Sequence, residues 1–128
     1  KFYPDFIIWV KKENKQNMIF VDPKGLSKSG VRHFNNDKIR FCSPDIKDIK
    51  DCLNIKEIEK NVNEKLKERG ESIALILDAF IISVSLYDDI KTTFGEGRHT
   101  KEEFEKHNIL FQEDETYIKK IFEKAGVI

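Results

Sequence analysis

The first part of the chain contains two short hydrophobic runs separated by a polar stretch. Residues 6–10 (Phe-Ile-Ile-Trp-Val) and 18–21 (Met-Ile-Phe-Val) are β-branched, aromatic or long aliphatic, and residues 11–17 between them are polar. Two such runs in succession favour an antiparallel hairpin. We therefore expect a hairpin whose loop spans residues 11–17, with Trp9 in the hydrophobic core, followed by irregular structure over residues 26–40.

Apolar residues at helical spacing occupy positions 46–66. Ser43 and Pro44 form a helix-start signal, in which a hydroxyl cap is followed by a proline in the first turn. The spacing slips in phase near Asn54, which predicts either a bend or two helices. Asn54 is a suitable cap for the second piece, and Gly70 is a suitable end for it.

The second half of the chain has one long apolar run and two further helix signals. Residues 72–86 predict a strand that is covered on both faces. Thr100 and Glu103 form a capping box before a short helix. Residues 109–111 predict a brief strand, and a last helix is expected to begin at Asp114. This order of elements is typical of an α/β or α+β fold.

Length and composition limit the class of protein. The 128 residues suffice for one domain, and 23 Lys+Arg against 23 Asp+Glu argue against a uniformly cationic nucleic-acid coat. The longest apolar stretch is interrupted by Asp78, Ser83 and Ser85, so no transmembrane helix is expected, and a buried Asp78 would need a partner. The two cysteines are too few for a disulfide scaffold or a four-ligand zinc site, and they indicate a reducing cytoplasm.

The charge is unevenly distributed. Residues 1–40 carry a net charge of +5 and residues 41–128 a net charge of −5. A basic end suits a surface that faces phosphates, although a chance distribution of lysines explains it equally well. The chain starts at Lys1 with neither an initiator Met nor a signal-peptide pattern, and a strand-like run follows almost at once. We expect it to be a piece of a longer protein.

Acidic residues stand at neighbouring ends of the two predicted hairpin strands. Asp5 precedes the first strand, and Asp22 lies at the end of the second, two residues before Lys24. In an antiparallel hairpin these ends lie side by side, and residues two apart in a strand share a face. Two carboxylates and an ammonium suit a hard divalent ion such as Mg²⁺, which bridges to phosphate. Lys24 is then expected to stabilise charge or position water.

A purely structural interpretation of these residues is also available. The sequence Asp22-Pro23-Lys24-Gly25 matches a type I turn, with Asp first, Pro second and Gly fourth. A hairpin turn should be followed by another strand, however, and the residues after Gly25 do not resemble one. A proline also fits the end of a strand. Strand or turn geometry at Asp22 therefore separates the two interpretations.

The residues around these acids resemble the PD-(D/E)xK nuclease superfamily. Its motif is Pro-Asp, a spacer, then Asp or Glu, any residue and Lys; here Pro4-Asp5, sixteen residues and Asp22-Pro23-Lys24 match it. The wider text of residues 3–9 and 19–25 is similar to the nuclease domain at the C-terminal end of DEAD/DEAH-type helicase subunits, such as the Res subunit of type III restriction enzymes. Residues 79–88 and 107–111 are similar to that group as well. The chain departs from the family in lacking a helix before the Pro-Asp strand and in placing proline at the variable position.

The resemblance implies a fold and a set of site residues. The fold would be α/β and restriction-endonuclease-like, a three-layer core with a mixed central sheet, an antiparallel N-terminal hairpin and flanking helices, and residues 1–128 would form a single nuclease-like domain. Asp5, Asp22 and the backbone carbonyl of Pro23 would hold Mg²⁺, or Mn²⁺ as a substitute. Asp5, Asp22 and Lys24 would be the catalytic residues.

The resemblance also implies a function, a Mg²⁺-dependent endonuclease for double-stranded DNA in the cytoplasm. Its partners would be a helicase or translocase region of the same chain, which alone would use ATP, and a modification or specificity subunit. One alternative is a non-catalytic module of the same fold that docks DNA or a subunit. The other is a small interaction domain in which the Asp-Pro-Lys-Gly sequence is only a turn.

Several further polar residues have a functional and a structural interpretation. Lys28, Arg32 and His33 follow the motif and are candidates for contacts with DNA phosphates, with a solvated loop as the alternative. His99 and His107 lack the companion cysteine or acid spacing of a zinc site, so we expect structural or surface roles for them.

Overall fold

A computed structural model describes residues 2–27, 30–44 and 53–128 of the chain. Its first two elements are strands β1 (Phe6–Lys12) and β2 (Lys15–Lys24), which pair antiparallel from Phe6 opposite Val21 to Lys12 opposite Lys15. The hairpin is confirmed, but the loop predicted over residues 11–17 is wrong. Lysine side chains at the loop end of both strands remain exposed or half-exposed there, so their charge does not prevent strand pairing.

A short helix, α1 (Asp37–Cys42), follows β2 in the region predicted to be irregular. Asn36 caps its start. Ser43 is the C-cap of this helix, and its hydroxyl donates to the carbonyl of Ile39 at 2.9 Å. The helix predicted to begin at Ser43 and Pro44 falls mainly on residues 45–52, which lie outside the described residues, so it stays a prediction.

Helix α2 (Ile55–Glu68) begins where the phase of the apolar positions slips. The side chain of Asn54 accepts a hydrogen bond from the N–H of Lys56, as a capping residue should. Its amide also donates to the carbonyls of Arg40 at 2.7 Å and Ser43 at 2.8 Å. The chain turns away at Gly70, which adopts φ +75°. Asn54 therefore starts α2 and fastens it to the end of α1.

Strand β3 (Ala74–Ser83) runs parallel to β2 and is buried on both faces over most of its length, as predicted. Four shorter elements complete the described part of the fold: α3 (Tyr87–Ile90), α4 (Lys101–Lys106), β4 (Ile109–Phe111) and α5 (Tyr117–Lys124). The capping box of Thr100 and Glu103 is confirmed at the start of α4. Helix α3 was not predicted, and α5 begins later than Asp114.

The strands form one mixed, four-stranded open sheet in the order β1-β2-β3-β4. The hairpin is antiparallel, and the β2–β3 and β3–β4 pairs are parallel. One face of β3 packs with residues of α1, α2 and α4 among others, in a cluster that includes Ile39, Ile55, Leu77, Ala79, Ile81 and Phe104. The other face packs against α5, in a cluster that includes Ile19, Val21, Phe80, Ile82 and Ile121. The protein is therefore a mixed α/β fold with helices flanking the sheet.

Side chains of α2 close the edge of β3 that β4 leaves uncovered. Asn63 accepts a hydrogen bond from the N–H of Leu75 at 2.9 Å and donates to its carbonyl at 2.8 Å. The carboxylate of Glu59 accepts from the N–H of Leu77 at 2.8 Å. These bonds replace those that a neighbouring strand would make.

Two predictions about individual side chains have clear outcomes. The buried Asp78 has the partner that it needs, since the ammonium of the partly exposed Lys56 lies 3.1 Å from its carboxylate. Trp9 is 55% exposed, so its predicted core position is wrong. It lies on β1, a terminal strand of the described sheet, and its indole N–H donates to the side chain of Gln16 instead. No helix within the described ranges is both long and apolar enough to cross a bilayer.

Candidate active site

The Asp22-Pro23-Lys24 segment forms the end of a strand. All three residues belong to β2, and each is paired with β3, from Asp22 opposite Ile81 to Lys24 opposite Ser83. The carbonyl of Lys24 accepts the N–H of Val84 at 3.0 Å, which continues the ladder. Asp22 and Lys24 therefore share one face of the sheet, and the turn interpretation is wrong.

Asp5 lies beside this strand end. Its N–H donates to the carbonyl of Val21 at 3.0 Å, although Phe6 is the register partner of Val21. Asp5, which directly precedes β1, and Phe6 thus both face Val21, an arrangement that resembles a β-bulge at the start of the strand. The exposed Asp5 carboxylate is close enough to raise the pKa of Asp22 by repulsion. The two acids predicted to meet are neighbours.

The backbone of Pro23 points toward the side on which Asp5 lies. The carbonyl of Val21 faces β1 and that of Lys24 faces β3, as their hydrogen bonds show. Because successive carbonyls alternate in direction along a strand, the carbonyl of Pro23 faces the β1 side. The N–H that proline lacks would have pointed the same way, beyond the last register partner in β1. Proline is therefore accommodated without loss of a ladder hydrogen bond.

Asp22 is a buried carboxylate held by a nearby lysine. The residue is 7% exposed, and the ammonium of Lys24 lies 3.6 Å from its Oδ2 atom. Burial raises the pKa of Asp22, the charge of Lys24 lowers it in part, and the charge of Asp5 raises it again. Burial and repulsion together prevail, so the pKa lies above its usual value. A carboxylate that is buried despite the unfavourable free energy of its desolvation is typical of functional sites.

Lys38 is a member of the site that sequence reasoning missed. It lies in the first turn of α1, and its ammonium is close enough to that of Lys24 to lower its own pKa, while the charge of Asp22 acts in the opposite direction. The signal was present in the sequence as Asn36, a capping residue just before two apolar residues at helical spacing, Ile39 and Cys42. The cluster therefore contains two acids and two lysines.

Cys42 lies beneath the cluster and is fully buried. Burial raises the pKa of its thiol well above the ordinary value, and the charge of Asp22 adds to the effect. A buried neutral thiol packs as a small apolar residue and is a poor nucleophile. We assign Cys42 to the core.

The predicted DNA contacts lie in the connection from β2 to α1. Arg32 and His33 are exposed there, and Lys28 lies outside the described residues. The carbonyl of His33 accepts the N–H of Asn36 at 3.1 Å, which leads the chain into α1. Their role in DNA binding stays a prediction.

The two histidines pack around an aromatic ring. The ring of His107 stacks on Phe34 with 4.2 Å between centroids, and that of His99 meets the edge of Phe34 at 4.5 Å. Burial lowers the pKa of His107, whose Nδ1 atom lies 3.1 Å from the hydroxyl of Ser43. Both histidines thus have structural contacts, as expected.

The donor atoms at the strand end suit a hard divalent cation. Two carboxylates and a backbone carbonyl are oxygen donors, which Mg²⁺ and Mn²⁺ prefer. Within the described ranges there is no group of three or more His, Cys, Asp or Glu side chains that could hold a metal. A cation at Asp5 and Asp22 would therefore rest on two side chains and complete its shell with the carbonyl of Pro23, water or substrate oxygens.

Comparisons of the chain with protein-family models, with curated proteins and with solved structures found no match.

Proposed function

We propose that the chain is a metal-dependent DNA endonuclease domain of the PD-(D/E)xK type with a restriction-endonuclease-like core. The observation that carries the proposal is the buried Asp22, paired with Lys24 on one face of a strand end and next to Asp5. The mixed sheet with its antiparallel hairpin agrees with such a core. The strand geometry also removes the interpretation in which these residues are only a turn.

Each residue of the cluster has a role in this proposal. Asp5, Asp22 and the carbonyl of Pro23 would hold Mg²⁺, which would activate water and offset charge on the scissile phosphate. Lys24 is already positioned by Asp22, so its ammonium stabilises negative charge that develops on the phosphate oxygens. Lys38 lies next to Lys24 and supplies a second cation for the phosphodiester backbone.

The charge of the cluster favours an anionic substrate. Two carboxylates and two ammonium groups balance one another in the metal-free protein. A divalent ion adds two positive charges, and a bound phosphodiester offsets part of this excess. Metal and nucleic acid should therefore bind more tightly together than separately.

The wider biological setting is part of the same proposal. The domain would act on double-stranded DNA in the cytoplasm, next to a helicase or translocase region of a longer chain that uses ATP, and with a modification or specificity subunit. The basic charge of residues 1–40, which include Lys24 and Lys38, supports a DNA-facing surface.

Cleavage of double-stranded DNA tests the proposal. The parent chain should cut DNA with Mg²⁺ or Mn²⁺ and not with EDTA, and Asp22→Asn or Lys24→Gln should lower the rate about 100-fold or more. Asp89→Asn, which changes an exposed acid on α3, is the matched control and should cut at the wild-type rate. Unchanged cleavage by either site variant would contradict the catalytic assignment. DNA binding without cleavage would favour the non-catalytic docking module.

A further inference from the structure

Helix α1, which carries Lys38 to the strand-end cluster, is too short to be stable by itself. It has six residues, and isolated helices of that length do not persist in water. Its last carbonyls also lack partners within the helix. Two distant asparagines supply partners for them. The side-chain amide of Asn54 donates to the carbonyls of Arg40 and Ser43, and that of Asn108 donates to the carbonyl of Cys42.

Asn108 joins α1 to the middle strand of the site. It is 3% exposed, and its amide nitrogen donates to the carbonyls of Cys42 on α1 and Ala79 on β3, both at 3.1 Å. Its own carbonyl accepts the N–H of Ile81, the register partner of Asp22. The side chain of Asn108 therefore links the end of α1 to the strand that lies beside Asp22.

The backbone of Asn108 shows what its side chain contributes. Its φ is +60°, a conformation that glycine adopts without strain. Its Oδ1 atom is buried and has no hydrogen-bond partner within the described part of the chain, which is unfavourable for a polar atom. Glycine would avoid both penalties. The two hydrogen bonds that the amide nitrogen donates are what asparagine adds at this position.

Asn54 makes a comparable contribution from the start of α2. Its Oδ1 atom accepts the N–H of Lys56 and caps that helix, while its amide nitrogen donates to α1 at 2.7 and 2.8 Å. Aspartate is as good a helix cap as asparagine. The bonds to α1 are therefore what asparagine adds here too.

These bonds hold the helix that brings Lys38 to the cluster. Lys38 lies four residues before Cys42, so the two share one face of α1. The ammonium of Lys38 is close to that of Lys24, and the like charges repel. This repulsion pushes α1 away from the end of β2. The amides of Asn54 and Asn108 oppose it, because they bind α1 to α2 and β3.

We propose that Asn54 and Asn108 are positioning residues, which hold the end of α1 in place and thereby keep Lys38 beside Lys24. They act on a substrate only through Lys38. The role of Lys38 toward DNA rests on the proposed function, whereas its placement by the two asparagines does not.

Two variants remove the amide donors and retain the local backbone. Asn108→Gly suits the φ of +60°, and Asn54→Asp retains the cap of α2, so each supplies an independent test. Asn17→Ala is the matched control. Asn17 is a buried asparagine on the face of β2 opposite to that of Asp22, and its amide donates to the carbonyl of Ala125, just after α5, at 2.8 Å.

The pKa of Lys38, measured by NMR in EDTA and without DNA, reports how close Lys24 lies. It should be below the ordinary lysine value in the wild-type chain and should rise toward that value in Asn108→Gly and Asn54→Asp, since Lys24 then acts from further away. Asn17→Ala should lose stability but keep the wild-type pKa of Lys38. An ordinary pKa in the wild-type chain, no rise in the two variants, or an equal rise in the control would overturn the proposal.

DNA titrations in EDTA at fixed salt separate this proposal from the proposed function. Asn108→Gly should weaken DNA binding by the same factor as Lys38→Gln, and the double variant should bind no more weakly, because both changes act through one ammonium group. If the wild-type chain binds no DNA while the pKa of Lys38 responds as expected, the proposed function fails and the positioning role stands. If DNA binds and the two changes are additive, the positioning role fails alone.

Discussion

The ammonium of Lys24 lies 3.6 Å from the carboxylate of Asp22, two residues earlier on the same face of a strand end. The pair is mostly shielded from water, and the pKa of Asp22 is raised by burial despite the attraction of Lys24. A hydrophobic residue at position 22 would avoid the unfavourable free energy of burying a carboxylate. The pair is therefore best explained by what it can bind.

Lys38 provides a test of the second cation. Its pKa is lowered chiefly by the neighbouring Lys24, so the folded state disfavours its charged form. That destabilisation is complete at neutral pH and disappears as pH rises from the lowered folded pKa toward the ordinary value near 10.5. Lys38→Gln should therefore raise the free energy of unfolding at pH 7 by about 0.3 kcal/mol, while it weakens DNA binding.

Urea unfolding at pH 7 and pH 10, together with DNA titrations at fixed salt, measures both effects. Lys60→Gln, an exposed lysine of α2, is the control. A Lys38→Gln variant that is less stable than wild type and binds DNA equally well would contradict the proposal that Lys38 lies next to Lys24 and supplies a second cation for DNA.

The Lys56–Asp78 pair should give a pH-dependent stability. Burial raises the pKa of Asp78, and the charge of Lys56, at 3.1 Å, lowers it in part. Lys56→Met should lower the free energy of unfolding by about 2 kcal/mol at pH 7. The loss is smaller than that from breaking a fully buried pair, because Lys56 is partly solvated. Without Lys56 the pKa of Asp78 rises further and the folded state binds the proton more tightly. The loss of stability caused by Lys56→Met should therefore become smaller as the pH falls through the raised pKa of Asp78 in the variant.

Equilibrium unfolding in urea at pH 7 and pH 4.5 checks the effect, with Lys60→Met as the control on the same helix. An equal loss of stability at both pH values would show that Lys56 contributes packing and not charge.

Asn63 should be required to close the edge of β3. Its two hydrogen bonds with Leu75, at 2.8 and 2.9 Å, satisfy a backbone donor and acceptor that no strand reaches within the described residues. Asn63→Ala should lower the free energy of unfolding by about 1–2 kcal/mol and should increase amide exchange at Leu75. Asn61→Ala changes an exposed asparagine on the same helix and should have little effect. Similar losses in both variants would reduce the role of Asn63 to helix propensity.

The elements that the sequence predicted well are those set by local interactions. The capping box of Thr100 and Glu103 and the cap at Asn54 involve residues within one helical turn, and both are confirmed. The hydrophobic run ending near Ser83 is long enough to specify a buried strand without knowledge of its partners. Asp22 and Lys24 were placed at a strand end because the residues after Gly25 do not resemble a strand.

The predictions that failed depend on tertiary structure. Trp9 lies in an apolar run, but its exposure follows from the position of β1 at one end of the described sheet, which the sequence does not specify. Lys38 was missed because α1 is one short helix within a polar segment.

Titration of Mn²⁺ by isothermal calorimetry tests the central claim most directly, since it requires neither DNA nor a helicase partner. The wild-type chain should bind Mn²⁺ saturably, Asp22→Asn should abolish that binding, and the Asp89→Asn control should retain it. No saturable binding to the wild-type chain, or equal binding to wild type and Asp22→Asn, would contradict a metal site at Asp5 and Asp22.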